Sequence, residues 1–153
     1  MNCIEAVNEP LASHLTCNSV FLAGGIVGCP DWQATMINLL SDQDNLTLLN
    51  PRRKNFPITD PDAAPIQIEW EHRMLRVATA ISFWFPQETL CPIVLYELGA
   101  WSMMDKPIFI GVHPSYQRRI DVEVQTHLNK PKLEIAYSLE DLASQVKDYV
   151  SFC

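Results

Sequence analysis

Apolar positions along the chain fall into two patterns, short unbroken runs and longer stretches with helical spacing. The runs are Ser19 to Ala23 (SVFLA), Leu46 to Asn50, Ala80 to Phe85, Ile108 to Val112 and the weaker Leu133 to Tyr137. Their continuity predicts strands buried on both faces, as in a parallel sheet. Between them, Trp32 to Leu40, Ile66 to Thr79 and Ile93 to Met104 have helical character. A last helix is expected to begin near Ser138, with Glu140 and Asp141 in its first turn, where the helix dipole favours negative charge. The polar segment after His113, SYQRRIDVEVQTHLNKP, reads as a short helix or an arm. Residues 1 to 17 lack a strong period and contain Pro10, so they are expected to be an extension that packs loosely or against a partner subunit.

Strands and helices thus alternate with short connections. Right-handed crossovers then leave helices on both faces of a parallel sheet. The expected fold is a flavodoxin-like three-layer α/β sandwich with five parallel strands in the order 2-1-3-4-5, formed by one domain over residues 1–153. The 153 residues and 48% hydrophobic content are enough for one core. In that order the switch point lies between the first and third strands, which brings the loop at Gly24 to the segment from Phe85 to Glu97.

One charge breaks the pattern. Between Leu90 and Met104 the chain is almost wholly apolar, and Glu97 is its only carboxylate. On a helix from Ile93, the residues Ile93, Val94, Ala100 and Trp101 share its face, which is expected to look inward against the sheet. An unpaired charge away from water costs several kcal/mol or more. Either the helix is tilted and Glu97 reaches solvent, or its carboxyl is neutralised, paired or used as a nucleophile or acid/base. On the preceding helix Trp70, Met74 and Val77 form one stripe, and Gln67, Glu71, Met74, Leu75 and Ala78 share an adjoining face. Glu71 is thereby placed beside the buried side, while Glu69, His72, Arg73 and Arg76 fall on the solvent side.

Composition narrows the chemistry. A net charge of -7 argues against a nucleic-acid partner or an anionic membrane surface. Cys3, Cys17, Cys29, Cys91 and Cys153 form no CxxC pair, and the four histidines are scattered without ligand spacing, so no disulfide framework, metal or cofactor is expected. No basic start followed by an apolar core opens the chain, and no apolar run has the length of a membrane span; a cytoplasmic protein is expected. The loop Gly24, Gly25, Ile26, Val27, Gly28, Cys29, Pro30, Asp31 lets backbone N–H groups approach a ligand, and Asp31 is placed to cap the following helix. It is not the GxGxxG fingerprint of dinucleotide binding. The basic cluster Arg52, Arg53, Lys54 follows the second strand, as a solvated turn or as a grip for a hydroxyl or phosphate.

Taken together, FLAGGIVGCPDWQ, NPRR, QIEWEH, FWFPQETLCPIVLYELGAW and KPIFIG resemble the nucleoside 2-deoxyribosyltransferase family over roughly residues 19 to 112. The most specific piece is ELG at Glu97, Leu98 and Gly99. The resemblance implies an α/β enzyme that exchanges nucleobases on 2′-deoxyribonucleosides, assembled as a dimer or hexamer in which a neighbouring subunit completes each site. It makes Glu97 the nucleophile of a covalent glycosyl intermediate. Glu71 matches the acidic residue that binds the sugar or helps protonate the base, with Glu69 as the slipped alternative and Glu88 or Asp31 as alternatives for the base. Phe21, Gly24, Gly25, Asp31, Trp32, Phe85 and Glu88 are the substrate-binding positions implied, and Asp121 or Gln125 the subunit-donated ones.

The sequence also departs from the family. Phe21 stands where members carry a tyrosine that positions the nucleophile, and it cannot donate a hydrogen bond. The acidic residue often found shortly before ELG is replaced within ETLCPIVLY. A related branch hydrolyses nucleoside 5′-monophosphates and grips phosphate with Ser and Arg in the first loop, where this chain has Gly25 and Val27. That loss favours an unphosphorylated nucleoside, but Arg52 and Arg53 on the neighbouring loop are placed to restore a phosphate site, so a nucleoside 5′-monophosphate N-glycosidase is the alternative enzyme, and a non-catalytic nucleoside-binding module the alternative from another class.

Overall fold

The computed structural model describes residues 1–15 and 18–151. Cys17 and Cys153, and the end of the expected N-terminal extension, lie outside the described residues. The elements are β1 (Asn2–Glu5), β2 (Asn18–Gly24), α1 (Trp32–Leu39), β3 (Leu46–Asn50), α2 (Ala63–Val77), β4 (Ala80–Phe85), α3 (Pro92–Ser102), β5 (Ile108–Val112), α4 (Arg119–Asn129), β6 (Ile135–Ala136) and α5 (Leu139–Ser151), with a 3-10 turn at Ala12–His14. All strand pairs are parallel, in the order β1-β3-β2-β4-β5-β6.

The sheet thus has six strands rather than the five expected. The extra one comes from the supposed loose extension: Asn2 to Glu5 pair in register with Thr47 to Asn50. Its pattern was too short to show a period, and its two exposed residues, Asn2 and Cys3, hide the strand behind polarity. The segment after His113 is a helix, α4, with Val122 and Thr126 buried.

Residues alternate between the two faces of the sheet, as strand geometry requires. Phe21, Ala23, Ile81, Phe83 and Phe85 join Trp70, Met74, Val94 and Leu98 in one core, beneath α2 and α3. Val20, Leu22, Leu48 and Trp84 join Trp32, Met36, Leu142 and Val146 in the other, beneath α1 and α5. This makes three layers. Among the described residues no helix is long and apolar enough to cross a membrane.

Two helix boundaries differ from the spacing and have local causes. Helix α2 starts at Ala63, before the expected Ile66, because Pro65 sits in the first turn, where a missing N–H breaks no helical bond. Helix α3 starts at Pro92, directly after Cys91, whose φ of 48° lies in the left-handed region. Val77, expected in the buried stripe of α2, is exposed at the last turn, and Leu75 is buried in its place. That last turn is closed from outside: Lys106 Nζ donates to the carbonyls of Leu75 (2.7 Å), Arg76 (2.7 Å) and Ala78 (2.6 Å), and its charge lies 4.8 Å from the Trp101 ring centroid.

Candidate active site

The chain leaves β2 toward β3 and returns from β3, through α2, to β4 on the other side of β2. The connections therefore diverge above the carboxyl ends of β2 and β4, where open α/β sheets bind ligands. A cavity of about 330 Å³ opens there, with Phe21, Ala23, Gly24 and Gly25 from β2 and its loop, Pro51 after β3, Glu71 of α2, and Cys91, Val94 and Glu97 at α3 among its walls. A second lobe of about 460 Å³ shares Ile68, Glu71, Ile93 and Glu97 with the first and extends over Tyr96, Trp101 and Met104. The two carboxylates stand at the waist between the lobes.

Helix α3 does not turn the Glu97 face onto the sheet. Its buried stripe is Val94, Leu98 and Ser102, while Ile93 is 66% and Tyr96 79% exposed. Glu97 stands one step off that stripe, half-buried, and looks along the cavity rather than into the core. Its carboxyl is pushed up to about 7, first by burial and then by the charge of Glu71. Glu71, also half-buried, is raised by burial, an effect opposed by a hydrogen bond from Gln67 Nε2 at 2.8 Å. The same Nε2 donates to the Pro51 carbonyl at 2.8 Å, so Gln67 ties the Glu71 carboxylate to the end of β3.

Gly24 and Gly25 are packed too closely to admit a side chain. A Cβ on Gly24 would lie 2.3 Å from Trp32 Cζ2, and one on Gly25 would lie 2.9 Å from Cys91 Sγ and 3.1 Å from Cys29 Sγ. Burial pushes the Cys91 thiol up to about 11, which keeps it protonated against the cavity wall.

The implied substrate positions separate into two groups. Phe21, Gly24 and Gly25 line the carboxylate cavity with Glu71 and Glu97. The other four do not. Asp31 accepts the N–H of Ala34 at 3.0 Å as the cap of α1 and pairs with Arg52 at 3.3 Å. Trp32 is buried beneath the loop and donates its indole N–H to the Gly25 carbonyl at 2.9 Å. Phe85 is fully buried against the Tyr116 ring, at 5.3 Å between centroids, and Glu88 lines a separate groove with Asp31 on the other side of the loop. These four therefore shape or flank the loop instead of facing the carboxylates. Asp121 and Gln125 line a third groove, between α3 and α4. Glu69 is exposed on α2 and is absent from the cavity walls, which Glu71 lines.

Spacing missed Gln67 as the partner of Glu71 and Arg52 as part of the loop. Arg52 is turned behind the glycine loop, with its Nη2 donating to the carbonyls of Gly25 (3.2 Å) and Pro30 (3.1 Å), and its Nε to Gln33 Oε1 at 2.8 Å. Arg53 stacks over Phe56 instead. Among the described residues no Lys, Arg or His lines the 330 Å³ lobe. The proximity of NPRR to the loop was visible in the strand order, but the direction of its guanidinium was not.

A family model described as nucleoside 2-deoxyribosyltransferase like matches residues 17–116, which carry β2 through β5 and every wall of the carboxylate cavity. No curated protein is a recognisable relative of the chain. Among solved structures, a conserved protein from Enterococcus faecalis V583 superposes with a TM-score of 0.65 at 15% identity, covering 88% of this chain and 99% of that one. At that identity the likeness is one of fold.

Proposed function

From a chain that belongs to the nucleoside 2-deoxyribosyltransferase-like family, we propose an enzyme that exchanges nucleobases on 2′-deoxyribonucleosides through a covalent glycosyl-glutamate. One observation carries the proposal: the family's ELG glutamate, Glu97, is held half out of water on the wall of an apolar cavity beside a second carboxylate, Glu71, with its pKa raised to about 7. Such tuning is what acid/base and nucleophilic carboxylates require.

In this reading the ionised Glu97 carboxylate attacks C1′ as the C–N bond to the base breaks and its electron pair leaves on the base nitrogen, which takes up a proton from solvent water. The resulting ester is broken when the nitrogen of an incoming base attacks C1′, returns the electron pair to Glu97 and gives up its own N–H proton to solvent water, so that one proton is taken up and one released per exchange. Two inversions restore the original configuration. Glu71, whose carboxyl is raised by burial against the opposing hydrogen bond from Gln67, presents an oxygen suited to accept a hydrogen bond from a sugar hydroxyl. Phe21 supplies a wall without a donor, so orientation of Glu97 falls to packing on α3.

The alternative, hydrolysis of nucleoside 5′-monophosphates, needs a cation for the phosphate. Arg52 is committed to the loop backbone, and the lobe beneath that loop holds no cation among the described residues, whereas Arg76 and His72 line the wider lobe; the lack of a cation beside the glycine loop supports an unphosphorylated nucleoside. The proposal includes a homo-oligomer in the cytoplasm, with a partner subunit covering the wider lobe and Asp121 or Gln125 as the donated residues. Incubation with a deoxynucleoside and a different free base should yield the swapped nucleoside, and Glu97→Ala should reduce the rate by at least about a thousandfold, as losses of covalent nucleophiles do. Release of free sugar with no exchange would move the assignment to a hydrolase.

A further inference from the structure

The Gly25 carbonyl collects three donors: Trp32 Nε1 at 2.9 Å, Arg52 Nη2 at 3.2 Å and Gln33 Nε2 at 3.4 Å. None of these three side chains lines the carboxylate cavity; all stand behind the loop. Arg52 is itself held there, by Gln33 Oε1 at 2.8 Å, by the Asp31 carboxylate at 3.3 Å and by Pro30 and Cys29, with its side chain only 17% exposed. The guanidinium fork is thus fixed on one side by α1 and fixes the loop on the other.

A trans peptide keeps its C=O and the next N–H antiparallel. Holding the Gly25 carbonyl toward Arg52 therefore turns the Ile26 N–H the opposite way, toward the side on which Gly25, Ile26 and Val27 line the cavity. That N–H makes no hydrogen bond among the described residues. Three donors on the carbonyl also polarise the peptide and strengthen its N–H as a donor. A backbone donor left open on an apolar wall is satisfied only by a ligand or water.

We propose that Arg52 is a positioning residue that locks the Gly25–Ile26 peptide so that the Ile26 N–H is presented to an uncharged acceptor atom of the nucleoside. The proposal rests on the nucleoside reading above and adds to it a role for the NPRR motif. The acceptor is an oxygen or ring nitrogen of the base or an oxygen of the sugar. The same contact rejects nothing by charge, since the guanidinium is offset by Asp31 and does not reach the ligand.

The test is titration of the ¹⁵N-labelled full chain, and of Arg52→Met and Arg52→Lys, with thymidine, thymine and 2-deoxyribose separately. In the unaltered protein the Ile26 amide resonance should shift on addition of thymidine, and the free base or free sugar that reproduces the shift identifies the source of the acceptor. Arg52→Met should bind thymidine at least about tenfold more weakly, as loss of one well-aimed hydrogen bond implies, with the Ile26 shift gone and guanidinium ion restoring both. KM should rise while kcat is largely kept. Unchanged affinity together with an unchanged Ile26 shift in Arg52→Met would overturn the proposal and leave the functional reading intact; an unaltered protein that binds neither thymidine nor 2′-deoxyadenosine would overturn both. If Arg52→Met does not fold, Arg52→Lys decides: weaker binding with a reduced shift supports the role, and unaltered values for both refute it.

Discussion

Glu97 is a residue the fold holds at a cost. Its unfolded carboxyl titrates near 4.5 and its folded one near 7, so the folded chain binds that proton more tightly. The contribution to stability is then fully present below the unfolded pKa and is lost as pH rises through the folded one. The two values correspond to on the order of 3 kcal/mol between pH 4.5 and pH 8. Glu97→Gln removes the charge while keeping the shape. Denaturant unfolding of the two proteins should therefore give similar stability near pH 4.5 and a variant more stable by about 1–3 kcal/mol at pH 8. Equal stability at both pH values would mean that the carboxylate is well solvated. Sequence spacing found this residue because a single carboxylate in an apolar helix is a visible anomaly. It misplaced the face, since Ile93 and Ala100 look like core residues by type and stand exposed in the fold.

At the scale of elements, the carboxylate pair depends on how α2 and α3 are seated. Lys106, just before β5, closes the end of α2 with three carbonyl contacts and packs on Trp101 of α3, so it joins both helices that carry the pair. Lys106→Met keeps much of the apolar stem and removes those donors. It should lower unfolding stability by about 1–3 kcal/mol, read from denaturant midpoints; a loss below ~0.5 kcal/mol would show the cap to be redundant. Strands β2 to β5 and the helices between them were legible because buried parallel strands are continuous apolar runs, whereas the weaker run from Leu133 to Tyr137 yields only the two-residue edge strand β6. Strand β1 was not, since it pairs along one edge and carries no run of its own. Asp31, Trp32, Phe85 and Glu88 are implied by the resemblance, whereas their side-chain directions, set by packing on α1 and Tyr116, are not encoded in spacing.

Across the described residues exposed apolar side chains are widespread, and one group of them lies where the proposed enzyme would need a neighbour. Ile68, Ile93, Tyr96 and Met104, between 56% and 79% exposed, rim the wider lobe beside Glu97. Patches of this kind mark interaction surfaces. If a second copy covers them, Tyr96→Asp should shift the protein to a smaller species in sedimentation velocity and lower exchange activity, with the monomer remaining folded; an unchanged oligomer, or a monomeric unaltered protein, would place the partner elsewhere or remove it. The account as a whole stands on the glutamate itself. Its most direct test is intact-protein and peptide mass spectrometry of the unaltered chain, acid-quenched during turnover of a 2′-deoxynucleoside. One deoxyribosyl group should be found on Glu97 and should disappear when excess acceptor base is added before the quench; turnover with the group on another residue, or continued base exchange by Glu97→Gln, would contradict it.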